Sequence, residues 1–540
     1  MCDRRHHRRR RYRSGNIQDE CPPSYSKTSA QRKRDPSFSQ VNTRNDPLLA
    51  AWEKSLAENR DRPAILNGDG GVNRTFSGIE ERAQFFTHQL KSLRPGDVVA
   101  IQIGNHPDWP SLFLACLRQQ IVVLPLERSI TEKERTAAME ICCASAVFAS
   151  AQEGNEVVLL RDPDVAAAVP GGRGLAARSD VAATVPGSRE LDAQPLKITA
   201  PPHWGPNQPS LLKLTSGTTA APRVIRFRSE QLLADSENIC RTMGITRGDL
   251  NYGVIPISHS YGFSNLLTPL MAHGIPMALS SDRMPRAIID GLVATRATVF
   301  PGMPVFYQSL CELNAVPSLL ELRLCISAGA PLAIELAHAF RAQFTHEIHS
   351  FYGSSECGGI CYAREPESLA GFVGQPMQGV DVELLDPGSA FSRIRVRSRA
   401  VGDGYFPEPD ESRLGNGIFL PDDLLQKTAS GYRIVGRVSD LINVAGKKVN
   451  PAEVEAEILR YEGVHQAIAF GCHSERRNQE IAACVVARED ISEGELLAHL
   501  RSRLSSWQVP RRIYFVDAIP VSERGKTSRQ DLARRYASRA

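Results

Sequence analysis

"DVVAIQIGNHPDWPSLFLACLRQQIVVLPL", residues 97–126, is the stretch that decides the fold. Two β-rich apolar runs flank an amphipathic segment with Pro110 near its first turn, a pattern that predicts strand, loop, helix and strand. Two strands joined through a helix run parallel in one sheet. The stretch therefore predicts an α/β fold.

The same alternation continues outward from this stretch, with apolar runs at 252–257, 275–280, 296–300 and 322–328 and helical segments between them. It predicts a large doubly wound α/β domain over residues 45–439. Between 160 and 196 the pattern gives way to Ala, Gly, Pro and Arg, and "DVAAAVPGGR" returns as "DVAATVPGSR". Two copies are too few for a solenoid, so we expect a duplicated surface insert.

The pattern changes again after residue 431, where short strands enclose the turn "AGKK". Asn450 is expected to cap the next helix, with Pro451 at its first position and Glu453 completing a capping box. Further strands and one helix are predicted at 464–470, 481–487 and 512–516 and at 493–505. We expect a small, mobile α+β domain over residues 440–540.

Charge is spread unevenly over the 540 residues, whose formal net charge is +4. Residues 1–34 have a surplus of eight positive charges, so the remainder carries −4. An acidic body gives no charge-based case for nucleic-acid binding. The basic extension, residues 1–44, is expected to be disordered, with contact to a polyanion or a membrane as the alternative.

Targeting and redox signals point to a cytoplasmic protein. The sequence contains no run of about 18 apolar residues, so no transmembrane segment is predicted. The arginines near the start precede no apolar stretch, so they do not form a secretory or twin-arginine signal. Twelve scattered cysteines without a CxxC pair favour reduced thiols over a disulfide framework or a metal cage.

A candidate site begins with "LKLTSGTTAAPRVIRF", residues 213–228, where small polar residues and glycine separate two apolar runs. Such a cluster suits a solvated turn. It equally suits an anion cradle made of hydroxyls, free backbone N–H groups and a guanidinium. This stretch alone leaves both interpretations open.

Five other stretches accompany it: "PISHSYGF" (256–263), "FYGSSECGG" (351–359), "FLPDDL" (419–424), "GRVSD" (436–440) and "SERGKTSR" (522–529). With them the chain resembles the adenylate-forming superfamily, which comprises acyl- and aryl-CoA synthetases (AMP-dependent synthetases and ligases), adenylation domains and firefly-type luciferases. The resemblance covers about residues 45–540, with the motifs in the family's order. One match would be weak evidence, whereas six in order are strong.

The resemblance implies a phosphate loop that holds the β- and γ-phosphates of ATP through Thr215, Ser216, Gly217, Thr218, Thr219 and Arg223. Arg223 stands where the family usually has lysine, so a planar fork replaces a compact ammonium. Ala220 stands where glycine is usual, and alanine is penalised if that position needs a positive φ.

The resemblance also implies the contacts of AMP and the metal. Beside adenine it places Tyr352, Gly353, Ala328, Gly329, Ala330 and Pro331. Ser355 would bind the α-phosphate and Glu356 would hold Mg²⁺, for which an exposed loop acid is the alternative. Asp423, chosen over Asp422 by counting to Gly431, would accept from the ribose hydroxyls. Arg437 would reach ribose or phosphate, and a surface ion pair is its alternative.

Three further roles follow from the same resemblance. Lys526 would bridge the substrate carboxylate and the α-phosphate during adenylation, or else be a solvated loop lysine. His259 would gate the acyl pocket, or be a packed structural histidine. Asp440 would be the hinge about which the C-terminal domain rotates. Gly446 would line the pantetheine channel, with Lys447 and Lys448 as CoA-phosphate contacts or a solvated basic turn.

The implied activity is that of an acid:CoA ligase that forms acyl-AMP from ATP and then a thioester with CoA. The implied cofactors are ATP, Mg²⁺ and coenzyme A, and the expected substrate is a small-molecule carboxylic acid, either fatty or aromatic. "SYGFSNLLTPL" (260–270) lacks the aspartate that α-amino-acid substrates need. Two alternatives stay open: loading of an acyl carrier protein, and a catalytically weakened nucleotide-binding relative.

Overall fold

The computed structural model describes residues 46–150, 157–161, 202–215, 223–474, 478–487, 491–519 and 529–537. The helices are α1 Pro47–Asn59, α2 Phe76–Gln89, α3 Trp109–Arg118, α4 Glu132–Cys142, α5 Ser229–Met243, α6 Ser260–Gly262, α7 Thr268–His273, α8 Pro285–Thr295, α9 Pro304–Cys311, α10 Ile334–Phe344, α11 Pro451–Leu459, α12 Glu493–Arg503 and α13 Arg529–Ala537. A π-helical segment, Phe263–Leu267, joins α6 to α7, and short 3-10 turns span Leu90–Ser92 and Val438–Asp440.

The strands are β1 Pro63–Asn67, β2 Val72–Thr75, β3 Val98–Gln102, β4 Val122–Pro125, β5 Ala144–Ala149, β6 Val158–Arg161, β7 Leu211–Leu214, β8 Val224–Phe227, β9 Asn251–Gly253, β10 Met277–Leu279, β11 Val299–Gly302, β12 Leu324–Ser327, β13 Ile348–Ser354, β14 Gly358–Tyr362, β15 Phe372–Pro376, β16 Val380–Leu384, β17 Ser392–Ser398, β18 Gly404–Phe406, β19 Leu414–Gly415, β20 Ile418–Phe419, β21 Asp423–Lys427, β22 Tyr432–Arg437, β23 Ile442–Val444, β24 Lys447–Val449, β25 Val464–Ser474, β26 Asn478–Ala487 and β27 Arg512–Phe515.

The predicted strand–helix–strand unit is confirmed. β3 and β4 pair in parallel, with Val99 opposite Val123, and α3 lies between them in the chain. Pro110 is the second residue of α3, where its missing N–H costs no intrahelical bond. The helix differs from the prediction in one respect, because it is buried nearly all round instead of on one face. It packs against α2 and so lies within the core.

The mixed α/β class predicted for the large domain is confirmed, and its strands form two sheets. β3 and β4 belong to a sheet of order β18-β8-β7-β4-β3-β5-β6. The other predicted runs became β9, β10, β11 and β12, which lie in a larger sheet of order β19-β20-β17-β21-β22-β15-β14-β13-β12-β11-β9-β10-β1-β2, with β16 on β17. Apolar periodicity identifies a strand but does not say which sheet the strand joins, so the division was not predicted.

Parallel and antiparallel pairing divide the larger sheet. β10, β9, β11, β12 and β13 are parallel neighbours. From β13 onward, β14, β15, β22, β21 and β17 add in antiparallel fashion. The parallel half places several strand ends at one edge, and the antiparallel half brings residues 423 and 437 towards that edge.

The last hundred residues form a third sheet, of order β24-β23-β26-β25 with β27 on β26. All its predicted strands and the helix α12 are confirmed, although β25 and β26 are longer than predicted. Asn450 caps α11 as expected, since its side chain accepts from the N–H of Ala452. The predicted capping box is wrong, because the Glu453 carboxylate accepts from Gln508 instead of the cap backbone.

Residues 43–540 form one compact unit, in which the third sheet keeps an apolar core of its own. The domain boundary at residues 439 and 440 stays a prediction. The expected insert lies, from residue 162 onward, outside the described residues. In the described part of the chain the ten cysteines are free thiols, and no helix has the length and apolarity to cross a membrane.

Candidate active site

The candidate site lies where parallel strands of the larger sheet end. β11, β12 and β13 are adjacent and parallel, and β9 pairs with β11. Their carboxyl ends lead into residues 259, 303, 328–331 and 355–356. Open α/β sheets bind ligands outside the carboxyl ends of their strands, so the topology gathers predicted site residues from distant parts of the chain.

Tyr352 and Arg437 both contact Asp423. The Tyr352 hydroxyl donates to Asp423 Oδ2 at 2.7 Å, and Arg437 Nε donates to Asp423 Oδ1 at 2.8 Å. β21 and β22 pair with Asp423 opposite Arg437, which sets the second contact. Burial and then the nearby Asp423 carboxylate raise the pKa of Tyr352 well above its usual value, so the phenol stays a proton donor. Arg437 is thus ion-paired with Asp423, the residue predicted to bind the ribose hydroxyls.

The neighbouring Asp422 has a different environment. Its carboxylate pairs with Arg413 at 3.0 Å, and its side chain is 39% exposed against 12% for Asp423. Asp423 is therefore the carboxylate that joins the Tyr352 side of the site, in agreement with its choice from the sequence.

Glu356 is held by two hydroxyls. Tyr405 Oη donates to Glu356 Oε1 at 3.1 Å, and Ser354 Oγ donates to Oε2. The backbone N–H of Gly402 also donates to the Glu356 carbonyl at 2.9 Å. A solvated loop acid would have no such partners, so its carboxylate is oriented by the fold.

Ser355 lies beside the loop that carries His259. Ser260 Oγ donates to Ser355 Oγ at 3.0 Å, which ties the end of β13 to the start of α6. His259 is exposed, and its Nδ1 accepts from the N–H of Tyr261 at 3.2 Å. The alternative of a packed histidine is therefore wrong, and the gating role stays a prediction.

The predicted phosphate loop joins β7 to β8. The two strands pair in antiparallel fashion, with Leu214 opposite Val224, and Thr215 N–H donates to the Arg223 carbonyl at 3.0 Å. Arg223 leaves the loop with its guanidinium 4.4 Å from the centre of the Tyr405 ring. Ser216, Gly217, Thr218 and Thr219 lie outside the described residues, together with Ala220.

The segment predicted to lie along adenine follows β12. Ala328 N–H donates to the Gly302 carbonyl at 3.2 Å, which holds the segment against the end of β11. Gly329 has φ +85°, a conformation that side chains rarely adopt. Ala330 and Pro331 follow it at the surface. Gly353 lies close to the opposite strand, since a Cβ there would come within 2.7 Å of the Gly358 carbonyl oxygen.

The predicted residues of the C-terminal part have structural partners of their own. Asp440 pairs with Arg529 at 3.3 Å. Gly446 has φ +85° in the turn between β23 and β24, and its N–H donates to Asn443 at 3.0 Å. Lys447 Nζ lies 3.3 Å from the centre of the Trp507 ring. Lys526 lies outside the described residues, so its role stays a prediction.

Four polar residues of this region were not predicted from the sequence, namely Ser260, Ser354, Tyr405 and Arg413. Tyr405 is 49 residues from Glu356 in the chain, and no spacing rule joins them. Ser354 is the exception, because a serine two residues before an acid is a local signal for a side-chain contact.

Two buried ionisable residues, Lys213 and Asp235, lie near the segment that carries Glu356. Lys213 is 5% exposed, and its Nζ lies 4.5 Å from the centre of the Phe227 ring. Asp235 is also buried and accepts from Ser264 Oγ at 2.6 Å and from Gly359 N–H at 3.0 Å. Burial lowers the pKa of Lys213 and raises that of Asp235, while their mutual attraction opposes both shifts. Because Asp235 accepts from the Gly359 N–H, it anchors the turn that follows Glu356.

Two family models match this chain. The family model described as AMP-binding enzyme matches residues 52–406, about two thirds of the chain. The chain belongs to the AMP-binding enzyme family. A second model, the AMP-binding enzyme C-terminal domain, matches residues 453–526.

Curated relatives of this AMP-binding enzyme carry CoA-ligase names. A probable CoA ligase, CCL9, of Humulus lupulus is 28% identical over 91% of this chain and 97% of its own length. The oxalate–CoA ligase of Arabidopsis thaliana is 25% identical over 91% and 99%. A feruloyl-CoA synthase of an Amycolatopsis species is 27% identical over 86% and 95%.

Solved structures agree on the fold. The crystal structure of ATP-bound MatB from Rhodopseudomonas palustris superposes with a TM-score of 0.75 at 23% identity, covering 91% of this chain and 99% of that one. The chain therefore shares with that structure a mixed α/β fold with a large N-terminal part and a small C-terminal part.

Proposed function

We propose that this AMP-binding enzyme is an acid:CoA ligase that works through acyl-AMP. In the first step an oxygen of the substrate carboxylate attacks the α-phosphorus of ATP, and the bond to the β-phosphate oxygen breaks, releasing pyrophosphate. In the second step the CoA thiolate attacks the acyl carbon, and AMP leaves with the electron pair of the anhydride oxygen. Catalysis of the first step is mainly positioning and charge stabilisation.

One observation carries the proposal: residues from three separate segments, all predicted to bind one nucleotide, contact the same carboxylate, that of Asp423, or lie directly beside its partner Tyr352. Tyr352, Asp423 and Arg437 form a set suited to adenosine, in which the carboxylate oxygens of Asp423 can accept from the ribose hydroxyls. Ser355 and Glu356 follow Tyr352 on the same strand end. Beyond the ribose, Ser355 would contact the α-phosphate and Glu356 would contact the metal ion.

Glu356 fits the proposed Mg²⁺. In the described part of the chain there is no group of three or more metal-ligating side chains. Mg²⁺ is commonly held by one or two carboxylates, substrate phosphates and water, which needs only this one oriented acid. When bound, Mg²⁺ would neutralise charge on the phosphates. Ser354 and Tyr405 orient the carboxylate through its two oxygens.

The proposed substrate is a fatty or aromatic carboxylic acid. Buried aromatic side chains follow β9 and β11, among them Tyr261, Phe263 and Phe306. Tyr261 packs on Phe351 with ring centroids 5.7 Å apart, next to the Ser355 loop. The relative that acts on the aromatic acid ferulate supports this choice.

An ATP–pyrophosphate exchange screen tests the proposal. Purified protein is supplied with Mg²⁺, ATP, labelled pyrophosphate and one acid at a time, from short-chain, long-chain and aryl series. We expect exchange with one series, and thioester formation only when CoA is added. If none of the acids supports exchange, the proposed activity is refuted. Exchange without thioester, followed by transfer to a phosphopantetheinyl carrier protein, would keep adenylation and replace the acceptor.

A further inference from the structure

Tyr405 connects the end of the phosphate loop to Glu356. β18 pairs in antiparallel fashion with β8, with Phe406 opposite Val224 and Tyr405 opposite Ile225. This register puts Tyr405 next to the point where the chain leaves the loop. Tyr405 is 5% exposed, so both its ring and its hydroxyl are fixed by the fold.

The hydroxyl of Tyr405 orients Glu356. It donates to Oε1 at 3.1 Å, while Gly402, on the approach to the same strand, donates its N–H to the Glu356 carbonyl at 2.9 Å. The side chain and the backbone of Glu356 are therefore both attached to the segment that carries Tyr405.

The ring of Tyr405 orients Arg223. The guanidinium carbon lies 4.4 Å from the ring centroid, and Arg223 Nη2 donates to the Glu408 carbonyl at 3.0 Å. A planar guanidinium stacks on an aromatic face, whereas the compact ammonium of lysine has no such plane. The buried Arg223 Nε has no hydrogen-bond partner among the described residues.

We infer that Tyr405 is a positioning residue that makes Arg223 and Glu356 one binding unit for Mg·ATP. The inference rests on the proposed function. It explains how this chain uses arginine where lysine is usual, because the stacking places the cation at a set distance from the metal-binding carboxylate. Loss of the phenol hydroxyl would release Glu356, and loss of the ring would release both groups.

The test is a double-mutant cycle read by calorimetric binding. Tyr405→Phe keeps the ring and removes the hydroxyl, Tyr405→Leu removes both, and Arg223→Lys removes the stacked plane. Each variant, and the Tyr405→Leu/Arg223→Lys pair, is titrated with ATP in excess Mg²⁺ and again in EDTA. Tyr432→Phe is the matched control, because the hydroxyl of this buried tyrosine donates at 3.4 Å to the carbonyl of Val382 in β16.

We expect Tyr405→Phe to weaken Mg·ATP binding about tenfold, as for a hydrogen bond to a charged group, and to leave metal-free ATP binding within about twofold. Arg223→Lys should weaken Mg·ATP binding in the wild-type background and have little further effect beside Tyr405→Leu, because contacting residues are non-additive. A purely structural tyrosine would lower the melting temperature without changing the Mg²⁺ dependence.

Two outcomes would count against the inference. Additive costs in the cycle, or an unchanged Mg·ATP affinity in a folded Tyr405→Phe protein, would overturn the coupling and leave the proposed ligase intact. Wild-type protein that binds no Mg·ATP would overturn the proposed function as well. Melting temperatures of all variants, measured without ligand, separate misfolding from either result.

Discussion

Asp422 and Asp423 are adjacent carboxylates, and their partners assign them different roles. Asp423 accepts from Tyr352 and Arg437, whereas Asp422 pairs with Arg413. Asp423→Asn should raise the KM for ATP by about ten- to a hundredfold, because an amide accepts less strongly from ribose and no longer pairs with Arg437. Asp422→Asn is the control, expected within about threefold. Steady-state pyrophosphate release measures both, and a larger effect at Asp422 would reverse the assignment.

Lys526 is the residue that the family resemblance implies for the adenylation step. Lys526→Ala should reduce acid-dependent pyrophosphate release by about a hundredfold or more, the cost of losing one group that stabilises transition-state charge. Thioester formation from supplied acyl-AMP should persist, because we propose that Lys526 acts in the adenylation step alone. Arg524→Ala, two residues away, is the matched control. Equal losses in both half-reactions would assign Lys526 a structural role instead.

At the scale of the element, the cap of α11 joins the third sheet to β22. Asn450 is 1% exposed, accepts from Ala452 N–H and donates to the Val435 carbonyl at 2.7 Å. Asn450→Ala should cost about 2 kcal/mol, a lost cap and an unsatisfied buried carbonyl, and lower the melting temperature by several degrees.

The matched control for this cap is Ser492→Ala, because Ser492 begins α12 without a side-chain cap bond. Differential scanning fluorimetry should show a small shift at 492 and a large one at 450. Equal shifts would mean that the contact with Val435 contributes nothing.

Elements were predicted where local pattern is strong. The runs of residues 97–126 and the C-terminal strands have clear periodicity and turn residues, and the structure confirms them. The antiparallel strands of residues 358–437 were not predicted, since their pairing depends on register with distant strands. The same is true of the division into two sheets.

At the scale of the whole molecule, the described fold begins at Asp46. Its carboxylate caps α1 through the N–H groups of Leu48 and Leu49 and accepts from Ser229 Oγ at 2.6 Å. We expect a chain starting at residue 44 to keep kcat, the KM for ATP and the melting temperature, because this anchor is retained. A chain starting at 47 should melt several degrees lower, having lost the cap. A loss of activity on removal of residues 1–43 would assign a role to the basic extension.

The sequence by itself determined the α/β class and the family, because periodicity and ordered motifs are local properties, and it predicted residues for the site. It selected Asp423 over Asp422 by counting alone. Only the tertiary structure decided how these residues combine: that Tyr352 and Arg437 share Asp423, that Ser260 meets Ser355, and that Tyr405 joins Arg223 to Glu356. Such contacts arise when strands far apart in the chain end at one sheet edge. The spacing of residues in the sequence does not show which strands will end there.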